Sequence, residues 1–212
     1  MDLAELSLKK FLEELASASP TPGGGSVAAL AGALGASLCS MVAGLTLGNN
    51  KYQHSWKEME SVHKKAHELT LRLTTLADKD RDAYNQVMSA YRLPKEDEGQ
   101  KDLRHKAIQG ALKQAASVPM ETLKAVSEMT GLVKALLERG NPNCLTDAGV
   151  AALLINSAAK GAAYNVRINL PGISDKAFSA RMAEEADNLL TQINNEVERL
   201  EKTVEERLGN NN

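Results

Sequence analysis

Apolar residues recur along this chain at helical spacing, and no stretch alternates as a half-buried strand does. Leu3, Leu6, Phe11, Leu12 and Leu15 predict a short amphipathic helix that stops near Ser17, before Pro20 and Pro22. An uncharged run, Val27 to Leu47, follows Gly23-Gly24-Gly25-Ser26 and ends at Gly48-Asn49-Asn50. A long helix is predicted from about Ser55 to Tyr91, with Val62, Ala66, Leu69, Leu73, Leu76, Ala83, Val87 and Met88 as its apolar positions. Another runs from about Lys101 to Ala116, where Pro119 predicts a break or kink because it lacks a donor and crowds the preceding turn. Ser117 is the predicted cap of the next helix, which ends at Arg139-Gly140. Thr146 is the predicted cap of a second small-residue helix, Asp147 to about Leu170, closed by Pro171-Gly172. Ser174-Asp175 opens a last, highly charged helix that is expected to fray into Gly209-Asn210-Asn211-Asn212.

The run from Val27 to Leu47 is about long enough to cross a bilayer. Its composition argues otherwise. Ala28, Gly32 and Ala36 form a face that lets neighbouring helices approach closely, and Ser37, Ser40 and Thr46 suit a packed interior. The expectation is a single all-α domain over residues 1–212, a helical bundle around two buried Ala/Gly-rich helices. Aromatic residues are only 3% of the chain, so aliphatic side chains and close backbone contact must fill the core.

Charge and cysteine content narrow the function. With 25 basic and 27 acidic residues the net charge is −2, which gives no electrostatic basis for a nucleic-acid or membrane partner. The N-terminus has neither a basic n-region nor an apolar h-region. Cys39 and Cys144 have no pair spacing and are expected as reduced thiols in a cytoplasmic protein. His63 and His67 stand at i, i+4, but their neighbours Lys64, Lys65 and Glu68 mark a solvated face, and no metal site is expected.

Three segments are candidates for chemistry. The loop Gly23-Gly24-Gly25-Ser26 leads into a helix N-terminus. Either its free N–H groups hold a carboxylate or polar ligand edge, or its glycines admit the chain into a crowded helix. Asp80 lies in an acidic cluster that is otherwise a solvated face, one turn before Tyr84 and bordering the apolar stripe. A carboxylate there is a candidate for proton transfer. Asp147 sits where acids favour a helix N-terminus, yet shares a stripe with Ala151, Ala158, Ala162, Asn165 and Asn169. Lys160 and Arg167 lie on another arc, placed to meet a carboxylate or to reach solvent.

Together these motifs carry a resemblance. The chain resembles, over essentially its whole length, the formimidoyltetrahydrofolate cyclodeaminase / methenyltetrahydrofolate cyclohydrolase family. The residues that carry it are Thr21-Pro22-Gly23-Gly24-Gly25-Ser26-Val27-Ala28 and Met41-Val42-Ala43. Further along are Asp80 with Ala83-Tyr84, Leu93-Pro94-Lys95, Ala115-Ala116-Ser117-Val118-Pro119 and Gly140-Asn141-Pro142-Asn143. Thr146-Asp147 and Asn165-Val166-Arg167-Ile168-Asn169-Leu170 complete the set. Thr146 stands where family members commonly have Ser.

The resemblance implies an all-helical homodimer, a folate substrate, and neither a metal nor a separate cofactor. The formimidoyltransferase domain of bifunctional relatives has no counterpart in these 212 residues, so a separate formimidoyltransferase is an expected partner. The implied reaction is closure of 5-formimidoyltetrahydrofolate to 5,10-methenyltetrahydrofolate with loss of ammonia, or alternatively opening of the methenyl compound by water. Asp80 and Asp147 are the implied acid and base, expected at a common pocket, either within one chain or at a subunit boundary. Gly23, Gly24, Gly25, Ser26, Tyr84, Lys95, Asn141, Asn165 and Asn169 are the implied substrate contacts. The rival reading is a non-catalytic folate- or partner-binding bundle; retention of both aspartates favours the enzyme.

Overall fold

The computed structural model describes residues 2–209. Among them no strand is found, and the helices are α1 (Leu8–Leu15), α2 (Gly24–Leu47), α3 (Trp56–Tyr91), α4 (Glu98–Ser127), α5 (Met129–Arg139), α6 (Leu145–Asn169) and α7 (Lys176–Gly209). The expected fraying beyond Gly209 falls outside the described residues.

Packing follows side-chain size. Helices α2 and α6 run antiparallel and touch through small residues. A Cβ added at Gly161 would meet the Ala28 Cβ at 2.9 Å, and one at Gly35 would meet the Leu154 Cβ at 3.3 Å. The expected pairing of the two Ala/Gly-rich helices is therefore present, with backbones too close for larger residues. The predicted stripe of α3 (Val62, Ala66, Leu69, Leu73, Leu76, Ala83) is buried against the rest of the bundle.

Four local expectations are corrected. The N-terminal helix is split. The N–H of Leu3 donates to Asp78 Oδ1 at 2.7 Å, which fixes a separate 3-10 turn over Leu3–Glu5. Ser7 then caps α1 by accepting the Lys10 N–H, and Leu12 faces solvent. Pro119 does not break the chain, and Ser117 caps nothing: α4 runs through both, and the Ser117 hydroxyl donates back to the Lys113 carbonyl at 2.9 Å. Thr146 is not a cap either. A 3-10 turn over Pro142–Cys144, closed by Asn141 Oδ1 accepting the Asn143 N–H, feeds directly into α6. Finally, α2 is not buried all round. Ala29, Ala36, Cys39 and Ala43 are fully enclosed, while Val27, Leu34, Met41 and Leu45 are exposed. The α7 start agrees with expectation, since Asp175 accepts the Phe178 N–H at 3.0 Å.

Candidate functional site

The first turn of α2 leans on α3 through one serine. Ser26 is completely buried. Its Oγ lies 2.9 Å from the Ala77 carbonyl and 3.1 Å from Asp80 Oδ2. Its backbone N–H, one of the donors a helix start leaves without an internal acceptor, also bonds Asp80. Asp80 thus caps α2 from a neighbouring helix. Burial pushes its carboxyl above the usual range, and the Ser26 hydroxyl and amide offset part of that rise.

Gly25 makes this possible. A Cβ there would lie 2.1 Å from Asp80 Oδ1 and 2.5 Å from its Cγ, so the carboxylate occupies the space a side chain would take. The reason is room, not backbone angle, because no glycine among the described residues has positive φ. Gly24 differs: the nearest atom to an added Cβ is Asn165 Nδ2 at 3.7 Å, and this residue opens onto a cavity. The two readings of the glycine loop therefore divide by residue.

That cavity, of about 300 Å³, lies between the start of α2, the last third of α3 and the end of α6. Gly23, Gly24, Gly25, Asp80, Tyr84, Asn165 and Asn169 all line it. Asp80 and Tyr84 are its only titratable groups among the described residues, and neither a lysine nor an arginine lines it. Asn165 Nδ2 donates to the Gly161 carbonyl at 2.8 Å. Asn169 Nδ2 donates to the carbonyls of Asn165 at 2.8 Å and Ala115 at 3.1 Å. These bonds commit both amide hydrogens of Asn169 and one of Asn165 to backbone carbonyls. Asp80 gives the site a carboxylate with no lysine or arginine beside it, which suits a cationic ligand edge or one that carries N–H groups.

Other expected contacts fall elsewhere. Ser26 stands behind Asp80 and does not line the cavity. Lys95 is exposed in the loop before α4. Asn141 lines a separate cavity of about 220 Å³ with Leu136, Cys144, Ala148 and Arg207, and its N–H donates to Thr46 Oγ1 at 2.9 Å. Arg167 is paired with Asp187 at 2.6 Å, and Lys160 is exposed. His63 Nδ1 bonds the Ser40 carbonyl at 2.9 Å. Asp147 occupies the first turn of α6, eighteen residues before Asn165, or roughly 27 Å along the axis at ~1.5 Å per residue. Within one chain the two aspartates do not share a pocket.

Sequence reasoning overlooked Ile168, Thr21 and Ala115 as lining residues. Ala115 carried a usable signal, being four residues before Pro119.

The profile of the formiminotransferase-cyclodeaminase family matches residues 7–188. A methenyltetrahydrofolate cyclohydrolase of Methylorubrum extorquens is 39% identical over 203 residues, covering 96% of this chain and 98% of that protein. The formimidoyltransferase-cyclodeaminase of Rattus norvegicus is 36% identical over 190 residues, 90% of this chain but 35% of the longer protein. The crystal structure of formiminotetrahydrofolate cyclodeaminase from Thermotoga maritima superposes with a TM-score of 0.87 at 36% identity, over 98% of this chain and 100% of that one.

Proposed function

The chain belongs to the formiminotransferase-cyclodeaminase family, and on that premise we propose that it closes 5-formimidoyltetrahydrofolate to 5,10-methenyltetrahydrofolate with release of ammonia. At the coarser level it is an enzyme of folate one-carbon chemistry, a cyclodeaminase or cyclohydrolase. The observation that supports proton-transfer chemistry on a folate is Asp80, a carboxyl with its proton affinity raised by burial, at a cavity without lysine or arginine.

The chemistry needs little more. N10 attacks the protonated formimidoyl carbon on N5, forming one C–N bond and a tetrahedral centre. The proton on N10 must then reach the departing amino group, which leaves as ammonia and regenerates the amidinium of the methenyl ring. Both nitrogens are bonded to the same carbon, so Asp80 can take the proton from N10 while a second carboxyl, the partner's Asp147, gives one to the departing amino group. A carboxylate and amide oxygens also stabilise the positive charge throughout. No separate cofactor enters this scheme. A second reading, hydrolysis of the methenyl ring to 10-formyltetrahydrofolate, is favoured by the full-length Methylorubrum relative. It uses the same carboxyl, with water in place of N10 as nucleophile. The methenyl compound absorbs in the near ultraviolet, so its appearance from the formimidoyl substrate, or its faster decay with protein than without, separates the two. Absence of both would remove the enzymatic reading in favour of a binding module.

The reading includes a homodimer. Leu34 is 61% exposed, Tyr164 63% and Ile168 74%, and with Met41, Leu45, Val150 and Leu153 they form an apolar face on the adjoining helices α2 and α6. A two-fold axis near Ser157 would set two copies of α6 antiparallel and bring the partner's Asp147 towards the cavity end of this chain. Leu34→Glu is expected to give monomers by light scattering and to abolish most turnover. Mixing Asp80→Asn with Asp147→Asn protein, each inactive alone, is expected to recover activity through hybrid dimers. Full activity of a monomer would refute the shared site. The reading also carries a cytoplasmic setting, a separate formimidoyltransferase upstream, and one helical domain over the whole chain.

A further inference from the structure

Pro119 lies in the interior of α4, where it has no N–H to give to the carbonyl four residues back. That carbonyl belongs to Ala115, which lines the cavity and is itself almost fully buried. A buried carbonyl without a partner is costly, and here the missing donor comes from another helix: Asn169 Nδ2 reaches it at 3.1 Å. The same nitrogen donates its second hydrogen to the Asn165 carbonyl at 2.8 Å. Both amide hydrogens are therefore committed to backbone, and the flip of the amide is forced. Among the described residues no donor meets Asn169 Oδ1, which belongs to a residue lining the cavity.

We propose that Pro119, Ala115 and Asn169 form one positioning unit, in which the carbonyl freed by the proline holds Asn169 Oδ1 as a fixed acceptor for an N–H group of the ligand. The ligand class is a nitrogen heterocycle that presents an amine or ring N–H at this edge, as a reduced pterin does. This rests on the folate reading above. A ligand group carrying only lone pairs would find no donor on Asn169 and would share the cavity with the Asp80 carboxyl. Pro119 acts at a distance, through Asn169, and is a positioning residue; Asn169 is the group that touches substrate and determines specificity.

Replacing the proline separates the parts. Pro119→Ala supplies an N–H to the Ala115 carbonyl inside α4 and so removes the need for Asn169. KM for the methenyl or formimidoyl folate is expected to rise about threefold with kcat nearly unchanged, and Tm is expected to hold or increase. Asn169→Ala loses the acceptor and orphans the carbonyl, so KM rises about tenfold, the worth of one good hydrogen bond, and Tm falls. In the double variant Tm recovers, because the N–H gained by Pro119→Ala now satisfies the carbonyl, whereas KM stays at the level of Asn169→Ala. Independent, multiplying effects on KM, or a double variant whose Tm does not recover, would overturn the unit.

A ligand-free measurement keeps this test apart from the folate reading. By NMR, the Asn169 side-chain amide protons are expected to exchange slowly with solvent in the unaltered protein and at least several times faster in Pro119→Ala. Slow exchange together with no turnover of either folate would sink the folate reading and leave the positioning unit standing. Equal exchange in both proteins would sink the unit whatever the enzyme turns over.

Discussion

Asp80→Asn should lower turnover by at least about a hundredfold, the lower range for removing a positioned acid or base, and leave the protein folded and no less stable at neutral pH. The two halves of this expectation have one cause. Burial holds the native carboxyl above the ordinary value of about 3.9 for an unfolded aspartate. Between that value and the raised native one, the folded state binds more protons than the unfolded state. Stability contributed by this residue therefore falls as pH rises through the window, and above it the native protein carries the full penalty of a desolvated charge. The asparagine carries no such charge and still offers an oxygen to the Ser26 amide and hydroxyl. Melting curves should show the variant at its greatest advantage near neutral pH, with the advantage vanishing as the wild type becomes protonated on acidification. A variant that melts well below wild type at pH 7 would make Asp80 a structural cap of α2 and not a strained acid. Turnover within a few fold of wild type would remove it from the proton transfer.

Gly25→Ala should be nearly as damaging to turnover, and it should also cost stability. The new methyl group would overlap the Asp80 carboxylate, whose nearest oxygen is only 2.1 Å from the Cβ position. The carboxylate must move, leaving the Ser26 amide with a poorer partner while the hydroxyl keeps the Ala77 carbonyl, at a cost of about 1–3 kcal/mol for an unsatisfied buried group. Gly24→Ala is the control. Its methyl meets nothing of its own chain closer than 3.7 Å, so Tm should be unchanged, and any loss should appear as a weaker KM through crowding of the cavity. Thermal melting and steady-state kinetics on the two variants decide the matter. Equal and small effects from both would show that neither glycine is reserved for a carboxylate or a ligand.

The helices themselves were legible because their evidence is local. Apolar spacing at 3.6 residues marks the buried face of α3, and the Ala/Gly content of α2 and α6 announces close approach before any neighbour is known. The same sequence reading brought together Gly23, Gly24, Gly25, Asp80, Tyr84, Asn165 and Asn169, and these seven do line one cavity. It misjudged residues whose role depends on a partner distant in sequence. Pro119 reads as a breaker because the usual donor is lost. It does not read as the interior of a helix, because the replacement donor, Asn169, lies fifty residues away. Ser26 reads as a ligand contact at a helix start, yet it faces Asp80 and Ala77 on another helix. Arg167 reads as placed to meet a carboxylate, and only the fold shows that this carboxylate is Asp187 on α7.

The sequence alone therefore determined the helical class, the two small-residue helices and their mutual attraction, while the family resemblance supplied seven of the cavity residues. Periodicity and residue size act within a few turns of one chain segment, and they need no knowledge of what lies opposite. Tertiary structure alone decided which aspartate enters the cavity, which glycine makes room for it, and which asparagine satisfies the carbonyl orphaned by a proline. Those are matters of distance between separate helices, and a hydrogen bond or a van der Waals overlap changes sign within about an ångström.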